Sequence, residues 1–234
     1  MDCVNIILCI AECIILTYLF LIMEITRIIN ILGGFLMSSF VFENNDNFDP
    51  EVKIKVIGVG GGGGNALNCM VGSDVEDIEY ISVNTDARAL RNSKATNRIQ
   101  IGAKLTKGRG AGNRPAVGKE SAEENRDEIA DAIKDADMIF ITAGMGGGTG
   151  TGAAPVVAQV AQELGILTVA VVTKPFNFER EAKMAQAEAG ISELKKYVDS
   201  LIVIPNEKLL VGLEKPLTMK ESFALADDIL KVGV

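Results

Sequence analysis

The sequence contains no histidine and no tryptophan, and only four of its 234 residues are cysteines. Without histidine, the chain cannot use chemistry that depends on imidazole, such as a Ser-His catalytic pair or a His-ligated metal. Three cysteines (Cys3, Cys9 and Cys13) lie within the first fifteen residues, which leaves Cys69 alone in the remainder. A disulfide framework is therefore excluded, and we expect a protein of a reducing compartment, namely the cytoplasm.

Basic residues are also fewer than acidic ones. The chain carries 23 Lys and Arg against 31 Asp and Glu, for a formal net charge of −8. A negative total repels polyanions, so the composition argues against a nucleic-acid-binding protein.

The first 36 residues are mostly apolar, and two interpretations of them stay open. Val4–Met23 is long enough to span a bilayer of about 30 Å, so a membrane anchor is one interpretation. The other is that translation starts at Met37, because the Gly33-Gly34 codons can contain a bacterial ribosome-binding sequence. We expect residues 1–36 to be a hydrophobic leader outside the native protein, and residues 37–51 to be a disordered polar tail.

The most informative stretch is Ala143–Gly152, which holds six glycines and two threonines in ten residues. The apolar run Met138–Thr142 before it predicts a buried strand, and Ala153–Leu164 after it predicts a helix. Glycines in a strand-to-helix turn expose backbone N–H groups at the positive end of a helix dipole, which favours an anion. Thr149 and Thr151 add hydroxyl donors, so the stretch predicts a phosphate-binding loop.

A second glycine-rich turn follows the first strand. Lys53–Val59 predicts a strand, Gly60–Gly64 a turn, and the residues from Asn65 a helix; Gly58, Gly60 and Gly63 match G-x-G-x-x-G. A dinucleotide-binding enzyme also needs an acidic residue after its second strand. Asp86 follows Ile78–Val83 and fits that requirement loosely, so the pattern leaves a nicotinamide-dependent oxidoreductase open.

The remaining segments alternate between strands and helices. Strands are predicted at Arg98–Ile101, Ile166–Thr173 and Leu201–Ile204, and helices at 115–134, 179–197, 207–213 and from Thr218 onward, with residues 104–115 as a basic, glycine-rich loop. Strands that are apolar throughout indicate a parallel sheet buried on both faces. The predicted fold is therefore a three-layer, Rossmann-like α/β sheet with helices on both faces. The polar motifs all fall at the carboxyl ends of its strands, where such folds bind ligands.

Taken together, the motifs resemble the tubulin/FtsZ GTPase superfamily, and within it the bacterial cell-division proteins. The resemblance covers about residues 52–234, and it rests on several motifs in the same order: residues 54–66, Asn-Thr-Asp at 84–86, Gly-Ala-Gly at 110–112, the loop at 143–152, residues 173–179 and Ile-Pro-Asn at 204–206. It implies a GTP-binding domain over 52–215 and the start of a central helix over 216–234, with the second domain missing.

The resemblance also implies a set of nucleotide-binding residues. The diphosphate and sugar would lie along Gly61, Gly62, Gly63, Gly64 and Asn65, and the terminal phosphates along Ala111, Gly112, Gly147, Gly148, Thr149 and Gly150. Glu179 would bind the ribose, Asn206 and Asp227 would read the guanine edge, and Phe223 would stack on the base. Asp86 would lie near Mg²⁺ through water, with no direct metal ligand. Lys183 stands where the family usually has Arg, and Asn113-Arg114 replaces a small residue and Asn.

The implied activity is GTP hydrolysis by head-to-tail filaments that form the cytokinetic ring at midcell. In the family, the acidic catalytic residues come from the neighbouring subunit, and a C-terminal tail binds membrane-tethering division proteins. Neither segment is found in this sequence, so we expect GTP and GDP binding with Mg²⁺, no catalytic residue here, and inefficient hydrolysis. The alternatives are the nucleotide-binding module of another tubulin-like protein and, more remotely, an NAD-dependent oxidoreductase.

Overall fold

The computed structural model describes residues 52–71, 78–211 and 217–234. Residues 51–234 form a compact unit by themselves. The predictions of a leader or anchor over residues 1–36 and of a polar tail over 37–51 fall outside the described residues. Within these described ranges, every helix is too short or too polar to cross a membrane.

The described strands form one six-stranded sheet, and all of its neighbouring pairs are parallel. The strands are β1 (Ile54–Val59), β2 (Ile78–Asn84), β3 (Asn97–Gln100), β4 (Met138–Gly144), β5 (Leu167–Lys174) and β6 (Ser200–Pro205). Their order across the sheet is β3-β2-β1-β4-β5-β6. The order reverses between β1 and β4, so the carboxyl ends of these two strands form the crevice where such sheets bind ligands.

Helices fill the connections between the strands. They are α1 (Gly60–Met70), α2 (Ala87–Arg91), α3 (Ala103–Thr106), α4 (Pro115–Glu124), α5 (Arg126–Ile133), α6 (Thr149–Glu163), α7 (Glu181–Leu194) and α8 (Met219–Gly233), with short 3₁₀ turns at Asn177–Glu179 and Asn206–Leu210.

The two faces of the sheet are both covered, which confirms the predicted three-layer α/β class. Alternate residues of the strands point to opposite sides: Ile57 packs in the core beneath α4–α7, whereas Val56 packs in a second core with Leu67 of α1 and Leu230 of α8. These positions are almost fully buried, as continuous apolar strands require.

The predicted turn at Gly60–Gly64 was too long, because α1 begins at Gly60 and only Gly60, with a φ of 75°, departs from helical backbone. Glycine disfavours helix interiors by about 1 kcal/mol relative to alanine, so tertiary packing must override that preference. Gly63 shows how: a Cβ there would lie 2.3 Å from the Thr142 carbonyl oxygen. Only a residue without a side chain lets α1 lie this close to β4.

Two long predicted helices are interrupted. The helix predicted over 115–134 divides at Asn125, whose φ of −113° and ψ of 27° are not helical and whose Oδ1 accepts a hydrogen bond from Gly102 N at 2.9 Å. The helix predicted from Glu179 starts at Glu181 instead, because Arg180 has a φ of 88°. The short helices α2 and α3 were not predicted.

Candidate functional site

Two helix N-termini meet at the point where the strand order reverses. Helix α1 begins directly after β1 at Gly60, and four residues separate the end of β4 from the start of α6 at Thr149. They are so close that a Cβ on Gly60 would lie 2.7 Å from the Gly150 N atom. Each helix N-terminus carries unpaired N–H groups and a partial positive charge, so the pair favours an anion with several negative oxygens.

The loop between β4 and α6 is held in place from inside. Met145 N donates to the Thr173 carbonyl at 3.0 Å, and Gly146 N donates to Thr151 Oγ1 at 2.8 Å. Thr151 is buried, and its hydroxyl oxygen braces the loop by accepting this hydrogen bond. By contrast, a Cβ on Gly147 would meet nothing within 4 Å, which leaves that stretch of backbone open.

The predicted glycines of α1 take two different positions. Gly61 faces open space, with no atom within 4 Å of a Cβ built on it, and Gly62 lies beside Gly144 of β4. Gly63 is buried against the strand instead. Gly64 is half-buried and Asn65 is exposed on the same helix. The open side of α1 therefore includes Gly61 and Asn65, while Gly62 borders β4.

Residues 84–86 and 108–114 form a third wall of the site. Thr85 and Thr149 share a hydrogen bond of 2.7 Å between their hydroxyls, which ties the end of β2 to the start of α6. Asp86 Oδ1 accepts from Arg88 N at 2.8 Å and so caps α2. Ala111 is buried, and its Cβ lies 2.8 Å from the position of a Cβ on Gly148; Gly112 is exposed beside it.

A cavity of about 180 Å³ extends from this loop toward α8. Its lining includes Gly62 and Gly147 together with five other predicted residues: Glu179, Lys183, Asn206, Phe223 and Asp227. Seven of the predicted residues thus surround one space, although they come from five separate segments. Asn206 is buried and its Oδ1 has no hydrogen-bond partner among the described residues, which suits an external donor.

Asp227 is the half-buried acid of this cavity. Burial raises the pKa of its carboxyl group to about 6, and the charge of the neighbouring Asp228 adds to the shift. A carboxylate held in such surroundings gains from any ligand that offers it N–H donors. The raised pKa is therefore consistent with a binding position that the protein itself leaves without a counter-charge.

Glu179 already has two partners. Its Oε1 accepts from Phe176 N and its Oε2 accepts from Lys183 Nζ, both at 3.0 Å. Phe223 contacts two other aromatic rings, with ring centroids 5.5 Å from Phe176 and 6.2 Å from Phe178. Phe223 remains 40% exposed, so an apolar face is still available for stacking.

Sequence reasoning missed two features of the site. The sequence marks Thr85 only as the middle residue of the Asn-Thr-Asp motif at 84–86. In the structure its hydroxyl binds that of Thr149 and so links the end of β2 to the start of α6. The negative net charge of the chain also obscured a local excess of positive charge. Residues 87–119 hold nine Lys and Arg and no Asp or Glu. A running charge sum along the chain reveals that excess. In the ranges described here, no three Cys, Asp or Glu side chains are placed to hold a metal ion directly.

Comparison with known proteins agrees with this geometry. Residues 53–213 match the family described as "Tubulin/FtsZ family, GTPase domain". The chain is 56% identical over 181 residues to the cell division protein FtsZ of Buchnera aphidicola subsp. Baizongia pistaciae (strain Bp). That alignment covers 77% of this chain and 47% of the relative, so the chain spans about half the length of the curated relative.

Solved structures give the same result. The FtsZ dimer of M. jannaschii, solved empty, matches with a TM-score of 0.75 and 43% identity over 86% of this chain and 55% of that one. CetZ1 of Haloferax volcanii, solved as a GDP-bound monomer, matches with a TM-score of 0.69 and 25% identity over 77% of this chain and 58% of that one. Nothing in these matches supports the oxidoreductase interpretation.

Proposed function

The chain belongs to the tubulin/FtsZ family, and on that premise we propose that it is the GTP-binding part of a cell-division GTPase. One observation carries the proposal: two helix N-termini converge beside a cavity that Asn206 and Asp227 also line. A site that combines helix N-termini with hydrogen-bond acceptors suits a phosphorylated purine.

The phosphates would be held mainly by backbone N–H groups. Gly147, Gly148, Thr149 and Gly150 supply the N-terminus of α6, and Gly61–Gly64 with Asn65 supply that of α1. A Cβ on Gly150 would lie 2.6 Å from the Gly144 carbonyl oxygen, so the loop needs glycine there for its own packing. Ala111 and Gly112 would close over the terminal phosphate.

The base would lie between α8 and Asn206. Asp227 can accept from guanine N1–H and N2–H₂ together, whereas adenine offers no such pair of donors. Asn206 would meet a further polar atom of the base, and Phe223 would stack on its face. Glu179 would accept from the ribose hydroxyls while Lys183 keeps its carboxylate in place, because the two side chains form an ion pair of 3.0 Å.

The residues near the terminal phosphate fit Mg²⁺ held through water. Mg²⁺ prefers oxygen ligands, keeps several waters and commonly binds substrate phosphates. Asp86 provides a carboxylate with one oxygen engaged in capping α2, and Thr85 and Thr149 provide hydroxyl oxygens next to it. The metal would neutralise phosphate charge, and these protein oxygens would accept hydrogen bonds from the waters bound to it.

Hydrolysis would require a second subunit. Phosphoryl transfer depends on positioning the attacking water and stabilising the spreading charge, and we assign no residue of this chain to the first task. Acidic residues of the next subunit in a head-to-tail filament would supply it. The family resemblance further implies that filaments would form the midcell ring in the cytoplasm, and that a C-terminal tail would join them to membrane-tethering partners.

Phosphate release from GTP tests this division of labour. We expect the 234-residue chain to bind GTP yet release phosphate at the background rate, and the C-terminal half of a family member added in trans to raise that rate. Rapid turnover by the isolated chain would show that it contains its own catalytic residues. Fluorescent GDP that is displaced by NAD as well as by GTP would instead favour the oxidoreductase.

A further inference from the structure

The basic residues of this acidic chain are strongly segregated. Residues 87–119 contain nine of its 23 Lys and Arg and none of its 31 Asp and Glu. All nine are exposed, and none forms an ion pair with another residue in the described ranges: Arg88, Arg91, Lys94, Arg98, Lys104, Lys107, Arg109, Arg114 and Lys119. Unpaired cations next to an anion site are available to the anion itself.

Arg114 lies against the phosphate loop. Its backbone N atom is 2.9 Å from the position of a Cβ on Gly148, and its Nε is 3.9 Å from that of a Cβ on Gly112. The backbone is fixed on both sides, because Arg114 N donates to the Ala111 carbonyl and the Arg114 carbonyl accepts from Gly118 N, both at 3.2 Å. The backbone of Arg114 is therefore held beside the loop, while its exposed side chain has no ion-pair partner among the described residues.

We propose that Arg114 contacts the terminal phosphate and makes the site prefer GTP over GDP. This rests on the proposed function, in which Ala111 and Gly112 close over the same phosphate. A guanidinium presents a planar pair of N–H donors that can bind two phosphate oxygens at once. GDP lacks the third phosphate, so it cannot make this contact and gains nothing from it.

Distance separates this effect from a general attraction by the basic stretch. Lys94 belongs to the same stretch, but its backbone N atom is bound to Asn68 Oδ1 near the end of α1. Asn68 lies eight residues beyond Gly60 in that helix, or about 12 Å along its axis. Charges farther apart than about 8 Å are largely screened at physiological salt. Lys94 is therefore a matched control: it has the same charge in the same stretch but lies away from the phosphates.

The test is the affinity of the 234-residue chain for GDP and for a non-hydrolysable GTP analogue, measured with Mg²⁺ at 0.15 M salt. We expect Arg114→Gln to raise the Kd for the triphosphate about tenfold and that for GDP less than about twofold, as loss of a charge-assisted contact predicts. Arg114→Lys should give an intermediate loss for the triphosphate. Lys94→Gln should change neither affinity.

The possible outcomes distinguish a failure of the Arg114 proposal from a failure of the proposed GTP binding. An unchanged Arg114→Gln variant, or one that weakens both nucleotides equally, overturns the role of Arg114 while leaving GTP binding intact. So does a Lys94→Gln variant that behaves like Arg114→Gln, because the effect would then be a general field. If the unaltered, folded chain binds neither nucleotide, the proposed function fails together with this inference. GDP affinity also reports folding of each variant.

Discussion

Single residues of this site combine a binding role with a cost to the fold. Asp227 is the clearest case, because burial and Asp228 raise the pKa of its carboxyl group to about 6. The ordinary value is 3.8, so at neutral pH the folded chain holds a carboxylate that would be more stable in water. A ligand with N–H donors removes that disadvantage, which is why the same residue can weaken the empty protein and strengthen the complex.

Affinity for GDP should therefore depend on pH through Asp227. Binding to the ionised form lowers its pKa, so the Kd should be constant above about pH 7 and rise as pH falls through 6, by up to tenfold per unit. Titrations between pH 5 and 8 measure this. Asp228→Asn, the matched control, should keep the pH dependence with its midpoint shifted lower. A flat profile for the unaltered chain would mean that Asp227 does not bind the base.

Asp227→Asn should separate stability from binding. The folded chain keeps the Asp227 proton up to about pH 6, whereas the unfolded chain releases it near 3.8, so ionisation costs stability as pH rises between these values. Above pH 6 that cost is complete. The variant should thus show a higher Tm than the unaltered, ligand-free chain at pH 7.5 and a weaker affinity for GDP. A lower Tm would show that the carboxylate is stabilised by contacts in the empty protein.

Two neighbouring glycines allow an equally direct comparison. A Cβ on Gly63 would lie 2.3 Å from the Thr142 carbonyl oxygen, so Gly63→Ala should reduce the free energy of unfolding by about 2 kcal/mol or more. Gly61 faces open space, and Gly61→Ala should leave stability unchanged or raise it by up to about 1 kcal/mol. Urea unfolding measures both.

For Gly61→Ala, we expect affinity for GDP to fall even though stability is kept. The added methyl group enters the space that we assign to the diphosphate. Equal stability of the two alanine variants would contradict the packing account of α1. Normal GDP affinity of Gly61→Ala would contradict the assignment of the diphosphate to the open side of this helix.

At the scale of elements, the sequence predicted which segments form strands more reliably than where helices begin. Apolar runs identified five of the six described strands, since a buried parallel strand has few alternatives, whereas β3 is short and largely polar. Helix starts depend on contacts between distant residues, such as Gly63 against Thr142. The break at Asn125 likewise depends on Gly102, which no local pattern discloses. The site residues came from a resemblance, whereas their common cavity appeared only in three dimensions.

The N-terminus of α8 was an exception, because its signal is local. Thr218 caps the helix by accepting from Glu221 N at 3.3 Å, and Glu221 Oε2 accepts from Thr218 N at 2.7 Å. Loss of such a cap costs about 1 kcal/mol, so Thr218→Ala should lower the free energy of unfolding by that amount. Phe223 lies in the next turn of the same helix, so GDP affinity should also fall slightly in this variant.

Lys220→Ala is the control for this helix. Lys220 is exposed in the first turn and makes no ion pair with another described residue, so its substitution should change stability by less than about 0.5 kcal/mol. Urea denaturation of the two variants side by side provides the measurement. If Thr218→Ala is as stable as Lys220→Ala, the capping box does not determine where α8 begins.

For the whole molecule, the sheet order explains the site. The reversal between β1 and β4 brings two glycine-rich helix starts together, and segments far apart in sequence then close the cavity around them. No single motif describes this arrangement. The chain spans about half the length of the curated relative it matches.

A crystal structure of the 234-residue chain with GDP tests the central claim most directly. The account predicts one nucleotide, with its phosphates against residues 147–150 at the start of α6 and its base between Asn206 and Asp227. Density for GDP elsewhere on the chain would contradict the account. An empty cleft in crystals of the folded protein grown with saturating GDP would contradict it equally.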